Sequence, residues 1–404
     1  MKKADERKKG FIKDLTLYIL KGGKGYYSLL IFLSLVIMLW FFGLYHQFSK
    51  GLIVTNLTDQ VNWGLYLSNF TFLVGVAAGA VTIVFPSYVY HHKQLKEVAV
   101  VGEMLAIAAV VMCLLFVIVH LGRPDRLLHI IPGIGVFNFP ASMLAWDVLV
   151  LNGYLILNLV CAFYYLYKKY KGEEVKKSFF MPIVYIAIVW ALSIHTVTAF
   201  LYNTMPARAA WNHSILPIKF ISTAFASGPA ILIITFLIIR KKTKLKIGDE
   251  AIDMLSQIFV WCLGIGLFLM FSEIVTAFYH TTEHAYGLKY LISGLHGYSK
   301  LVPWYWVSTI FMTFSFIFLL FPSLRKNHKL LPIACVLSII GIWIEKGLAF
   351  VLPGFFPTSL GEVVEYSPSL VEITISSGNW AVGLFLFVIL VKGSIGILTK
   401  EVTA

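Results

Sequence analysis

The chain has 404 residues, of which 59% are hydrophobic and only 13% charged. Soluble domains carry roughly 25% charged residues, so this composition excludes a water-soluble globule, and its hydrophobicity excludes intrinsic disorder. The formal net charge is +13, and its meaning depends on where the basic residues fall.

A bilayer-crossing helix needs about 20 mostly apolar residues. Ten such runs follow in chain order, near 27–48, 62–90, 98–121, 140–166, 181–204, 212–239, 252–280, 301–323, 330–352 and 371–398. They are continuous, whereas barrel strands are short and alternating. The prediction is an all-α polytopic membrane protein with ten transmembrane helices. Ahead of the first run, Phe11, Ile12, Leu15, Tyr18 and Ile19 fall near one helical face. That pattern predicts a short helix on the cytoplasmic membrane surface, with a disordered basic tail as the alternative. The first run is full length and lacks a small-residue cleavage site, so it reads as a span rather than a signal peptide.

Lys and Arg set the orientation of such a chain. The N-terminal segment, the even-numbered connections and the C-terminus hold 25 of them, against 6 in the odd-numbered connections. Lys219 and Lys346 lie within spans. Both termini are therefore predicted to be cytoplasmic in a multi-pass cell-membrane protein. The +13 excess is an orientation code in a lipid bilayer, so no nucleic-acid partner is predicted.

An internal repeat is hinted at. Gly75 and Gly79 of the second run match Ala224 and Gly228 of the sixth at a shift of 149, and the two runs open on Asn62-Trp63 and Trp211-Asn212. Two parallel four-helix bundles, spans 2–5 and 6–9, flanked by spans 1 and 10, would follow. The organisation is then 1–26, a basic segment; 27–61, the first span; 62–204, the first bundle; 205–352, the second bundle; and 353–404, a loop and the last span. Chance likeness between small-residue helices is the competing explanation.

Ionisable groups within a bilayer are costly and face a pocket, a partner or water. Orientation puts His120, Asp147, His195, Glu273, Glu345 and Lys346 in the outer half. A quinone has two oxygens that need hydrogen-bond partners, and its redox cycle moves two protons. A His beside a carboxylate supplies both needs. The alternative for His120 and Asp147 is a structural hydrogen bond tying spans three and four. The turn His120-Leu-Gly-Arg-Pro-Asp-Arg126 is either a polar rim over such a pocket or a self-paired solvated turn. His195 and Thr198 share a helix face, as a site wall or as a satisfied core pair. Glu103, in the inner part of span three, is a proton-path step or a partner of Lys96 and Lys93. Glu345 and Lys346 point to different sides of one helix, and Glu273 is a candidate partner for Lys346. Cys113, Cys161, Cys262 and Cys335 lack metal-ligand spacing, so they read as core residues. The longest outer loops, 281–300 and 353–370, carry Glu283, His284, His296, Glu362 and Glu365, as solvated surface or as a docking face.

Several stretches resemble the NrfD/PsrC family of quinone-interacting membrane subunits. They are Asn62-Trp-Gly-Leu-Tyr66 with Gly75-Val-Ala-Ala-Gly79, the turn 120–126, Ser142-Met-Leu-Ala-Trp-Asp147 and Leu151-Asn-Gly-Tyr154. Ser193-Ile-His-Thr-Val-Thr-Ala-Phe200, Pro206-Ala-Arg208, Ala226-Ser-Gly-Pro229 and Leu360-Gly-Glu-Val-Val-Glu-Tyr366 resemble its ten-span branch, closest to DsrP-like subunits of complexes associated with sulfite reduction. The resemblance implies a menaquinone site in the first bundle near the outer face. It places His120 and Asp147 near the quinone ring, Arg123 beside them, and His195 less directly. It implies no haem or iron–sulfur cluster in this chain. Its implied partners are an extracytoplasmic iron–sulfur protein with several clusters, a multihaem cytochrome c, a haem b membrane subunit and a cytoplasmic iron–sulfur subunit. Such a chain is an oxidoreductase subunit inactive alone, with Glu103, Glu273 and Glu345 as proton-transfer candidates.

Two other classes compete. A secondary transporter fits ten spans, buried charges and a repeat, although no interrupted helix pair stands out near the midplane. A haem b cytochrome needs paired axial ligands, for which His120, His195 and His280 are the candidates.

Overall fold

The computed structural model describes residues 2–90, 92–279, 284–356 and 361–403. Among the described residues are ten helices long and apolar enough to cross a membrane. They are Lys24–Lys50, Leu65–Tyr88, Leu95–His120, Met143–Tyr170, Lys177–Asn203, Leu216–Lys242, Asp249–Tyr279, Val302–Leu320, Leu331–Phe355 and Leu370–Leu398, here spans one to ten. No strand forms among the described residues. The protein is thus an all-α, multi-pass membrane protein, and each predicted run corresponds to one span.

A helix over Lys2–Leu20 precedes span one. Its apolar face packs on protein: Phe11 meets the rings of Tyr167 and Tyr170 edge-on, at 5.4 and 4.9 Å. Leu15 and Ile19 lie over Gly393 of span ten. Tyr18 donates to Glu401 at 2.9 Å, which brings both chain ends to one side of the molecule, the terminal face. Ile12, Leu17 and Leu20 remain exposed.

Spans two to five pack in chain order, and five returns to two; spans six to nine pack likewise, and nine returns to six. Span ten lies against spans one and three. Every residue of Leu65–Gly79 in span two is buried, as its uninterrupted apolar and small-residue sequence requires. Span one shows most of its side chains outward, as a helix at the lipid boundary does.

Spans two and six meet at the positions the repeat singled out. A Cβ on Gly79 would collide with Ala224 and Gly228, and one on Gly228 would collide with the Gly79 backbone. Only glycine at both positions allows this approach. Trp63 stacks on Trp211, with centroids 5.3 Å apart and planes 20° apart.

Two spans are irregular, contrary to the expectation that no interrupted pair stands out. Span two breaks at Ala80, between helices Leu65–Gly79 and Val81–Tyr88. The break adjoins the Gly79–Gly228 contact, and Pro86 removes a backbone donor from the second piece. Span nine widens into a π-helical turn at Ile344–Leu348. Such turns are uncommon and concentrate at functional positions.

At the opposite, distal face, the segment before span ten latches onto the entry to span two. Glu372 accepts from the backbone of Asn56 and Ser369, both at 2.9 Å, and from the Tyr366 hydroxyl. Tyr366 in turn accepts from the Leu65 amide at 3.0 Å.

Candidate functional site

Span three ends at His120 and span four begins at Met143, so the two chain segments that carry His120 and Asp147 approach the distal face together. Nδ1 of His120 is buried and has no hydrogen-bond partner among the described residues. A buried ring nitrogen left open costs free energy unless a ligand or water fills it. It fits a quinone oxygen, as donor or acceptor according to tautomer.

Asp147 is 4% exposed. Its Oδ1 lies 2.9 Å from Thr198 Oγ1 on span five, and that hydroxyl is also 2.9 Å from the Ile194 carbonyl. One hydroxyl proton cannot serve both acceptors fully. With Asp147 ionised, Thr198 donates to the carboxylate. With Asp147 protonated, the acid donates to Thr198, whose proton turns to Ile194. The arrangement accommodates a carboxyl in either protonation state without leaving an unpaired group. No hydrogen bond joins Asp147 to His120 among the described residues, so the structural His–Asp tie does not form.

Arg123 lies outside this buried pair. Its guanidinium grips Asp125 through Nε and Nη2, at 3.0 and 2.8 Å, and both side chains are more than half exposed. The guanidinium holds the Asp125 carboxyl below its ordinary range.

His195 is fully buried, stacked 5.2 Å from the Phe220 ring. Its Nε2 contacts Nζ of Lys346, which crosses from span nine. Lys346 Nζ also donates to the Phe220 carbonyl at 2.9 Å and to Thr223 Oγ1 at 3.2 Å. The predicted Glu273–Lys346 pairing is therefore replaced. Glu273 instead binds Lys219 at 2.7 Å, and Lys219 also binds Glu345 at 2.7 Å. The reason is placement: Lys219 on span six faces span seven, whereas the side chain of Lys346 passes over Gly75 toward span five. His213 lies 3.4 Å from Glu273.

Two cavities adjoin the buried acids. One, about 40 Å³, is lined by Lys219, Glu273, Tyr305 and Glu345, among others. The second, about 10 Å³, is lined by Glu103, Tyr154, Asn158 and Cys161, among others. Both are large enough for ordered water, and neither is lined by His120, Asp147 or His195. Glu103 is buried with Oε2 unpartnered among the described residues; no ion pair joins it to Lys96. The described residues hold no group of three or more His, Cys, Asp or Glu suited to a metal ion. His280 lies outside the described residues.

In the sequence Lys219 stands out only as a charge within a span, although a lone lysine in an apolar run demands an acid. Glu273 and Glu345 are the acids within reach of its bundle. The Thr198–Asp147 bond has one signal in the sequence, the shared face of Thr198 and His195.

Comparison with known proteins agrees with this architecture. A selenate reductase subunit from Mesobacillus selenatarsenatis is 25% identical, over 91% of this chain and 93% of its own length. The integral membrane subunit of an Hdr-like menaquinol oxidoreductase from Archaeoglobus fulgidus is 23% identical, over 91% and 92%. Residues 53–353 match the family described as Polysulphide reductase, NrfD. With that match covering spans two to nine, the chain belongs to the NrfD family.

Proposed function

We propose that this protein is the quinone-interacting membrane subunit of a respiratory redox complex. It exchanges electrons between menaquinol and an iron–sulfur subunit docked on the extracytoplasmic face. Both termini are cytoplasmic, which makes the distal face the extracytoplasmic one. The observation that carries the reading is the open Nδ1 of His120, on the helix end beside a span whose buried Asp147 is held by Thr198. Family membership and the menaquinol oxidoreductase relative support it.

Oxidation of a quinol releases two electrons and two protons. The electrons pass to the clusters of the partner. His120 holds one quinone oxygen by hydrogen bond and takes or gives its proton. Asp147 and Thr198 hold or release a proton without leaving a group unpaired. Arg123 and Asp125 form a charged rim at the mouth of the site, and His195 braces the wall behind Thr198. Glu103, Glu273 and Glu345 carry protons further, each beside a cavity with room for water. In the reducing direction the same steps run in reverse.

Purification of the native complex in mild detergent tests the assignment. The expected result is co-purification of a cluster-bearing extracytoplasmic protein, with a multihaem cytochrome c, a haem b membrane subunit and a cytoplasmic iron–sulfur subunit as further members. A chain that purifies without any redox partner and moves a solute across vesicle membranes would overturn it.

A further inference from the structure

We infer that Lys346 is a positioning residue that couples the charge at the quinone site to the acid cluster of spans six to nine. The inference rests on the quinone reading above.

Lys346 is 1% exposed. As an ammonium it would have three hydrogens for three acceptors: His195 Nε2, the Phe220 carbonyl and Thr223 Oγ1. It also sits 4.7 Å from the centroid of the Phe220 ring. No carboxylate forms an ion pair with it among the described residues. A buried cation with only neutral partners is expensive where an apolar chain of the same length would fill the space. Packing therefore gives no reason for a lysine here.

Neighbouring positions explain how the residue links two places. In the π-helical turn, Glu345 and Lys346 leave the helix in different directions. Glu345 goes to Lys219, which also holds Glu273. Lys346 goes to His195, one helical turn from the Thr198 that binds Asp147. Gly347 brings the same turn to within 3.0 Å of the Ser68 carbonyl on span two, measured from where its Cβ would stand. Gly75 clears the path: a Cβ there would lie 2.9 Å from Nζ and 3.5 Å from His195 Cε1.

The titratable and charged groups along this line are Asp147, His195, Lys346, Glu345, Lys219, Glu273 and His213, with Tyr305 facing the cavity. His195 Nε2 must present its lone pair to the ammonium, so that nitrogen takes no proton while Lys346 is charged. A charge change at Asp147 is felt by Lys346 through the low-dielectric interior between them, where charges interact strongly. The ammonium answers by shifting among its three acceptors, and that displacement of charge is felt at Glu345, its backbone neighbour. When the first site loses a proton, the Glu345–Lys219–Glu273 cluster takes one from the bulk phase by way of water in the adjacent cavity, and returns it the same way when the site is reprotonated. Lys346 carries no electron and transfers no atom. The hydroxyl of Tyr305, buried and unpartnered among the described residues, is a polar group available to that water.

Redox-triggered infrared difference spectroscopy on the full chain in lipid nanodiscs with a short-tailed menaquinone tests this. Electrochemical reduction should produce quinone carbonyl bands together with a carboxyl band that Glu345→Gln or Glu273→Gln removes. Lys346→Met should keep the quinone bands and lose that carboxyl band, and Lys346→Arg should restore it. Gly75→Ala, which presses on the pair without altering its charge, should shift the band and serves if Lys346→Met fails to fold. Quinone bands with no such carboxyl band, or a carboxyl band indifferent to Lys346, would overturn the coupling and leave the quinone site standing. Absence of the quinone bands themselves would overturn both.

Discussion

Trp63 stacks on Trp211, with ring centroids 5.3 Å apart. The two residues precede spans two and six, and the helices they lead into touch again at Gly79 and Gly228. The seam between spans two and six is thus held at two levels, by stacked indoles at one and by glycine backbones at the other. The Trp211 Nε1 donates to the Phe350 carbonyl at 2.9 Å, which ties the stacked pair to span nine.

Gly79→Val and Gly228→Val should each disrupt this seam. The new side chain meets backbone, which cannot rotate away, so the cost should reach or exceed the roughly 1–3 kcal/mol typical of overpacking. Thermal unfolding in detergent should show a marked loss for both variants. Gly23→Val, where the added Cβ meets nothing within 4 Å, should be neutral by comparison.

Lys219 holds two carboxylates at once. Lys219→Met leaves the buried Glu345 unpaired and Glu273 with His213 alone, and removing one partner of a buried pair costs about 3–5 kcal/mol. The triple variant Lys219→Met/Glu273→Gln/Glu345→Gln should recover part of that loss. Detergent-phase unfolding curves of the single and triple variants check the order.

The Arg123–Asp125 pair is exposed, so Arg123→Ala should leave the unfolding curve unchanged. Its effect should fall on quinol-linked turnover instead. Because Arg123 lowers the Asp125 carboxyl, the pair persists through neutral pH and parts only as pH falls through that lowered value. Asp125→Asn should therefore give, at neutral pH, the turnover that the parent shows in acid. Turnover profiles against pH for the two proteins make the comparison.

At the distal latch, the Tyr366 phenol is pushed well above its ordinary range by burial and then by Glu372. It stays a donor to Glu372 at any working pH. Tyr366→Phe removes that bond and the acceptor of the Leu65 amide, at a cost of about 1–3 kcal/mol for the groups left open. Hydrogen exchange at residues 64–66 should rise in this variant.

Much of the architecture was legible in the sequence because lipid imposes one rule, a long apolar run for each crossing. Ten runs gave ten helices for that reason. The Gly75, Gly79, Ala224, Gly228 pattern was legible too, since only small residues allow such close approach. Side-chain pairing across helices was not. Lys346 bonding His195 instead of Glu273 depends on which way a π-helical turn directs consecutive residues, and local sequence does not encode that. The break in span two was equally hidden, because Gly79 and Ala80 sit within an otherwise unbroken apolar run.

His120 and Asp147 as the quinone site are tested most directly by quinol-linked reduction of the partner's clusters, in purified complexes carrying His120→Ala or Asp147→Ala. Both complexes should assemble with their full set of subunits, and cluster reduction by menaquinol should be abolished in each. Normal turnover in both variants would contradict the assignment.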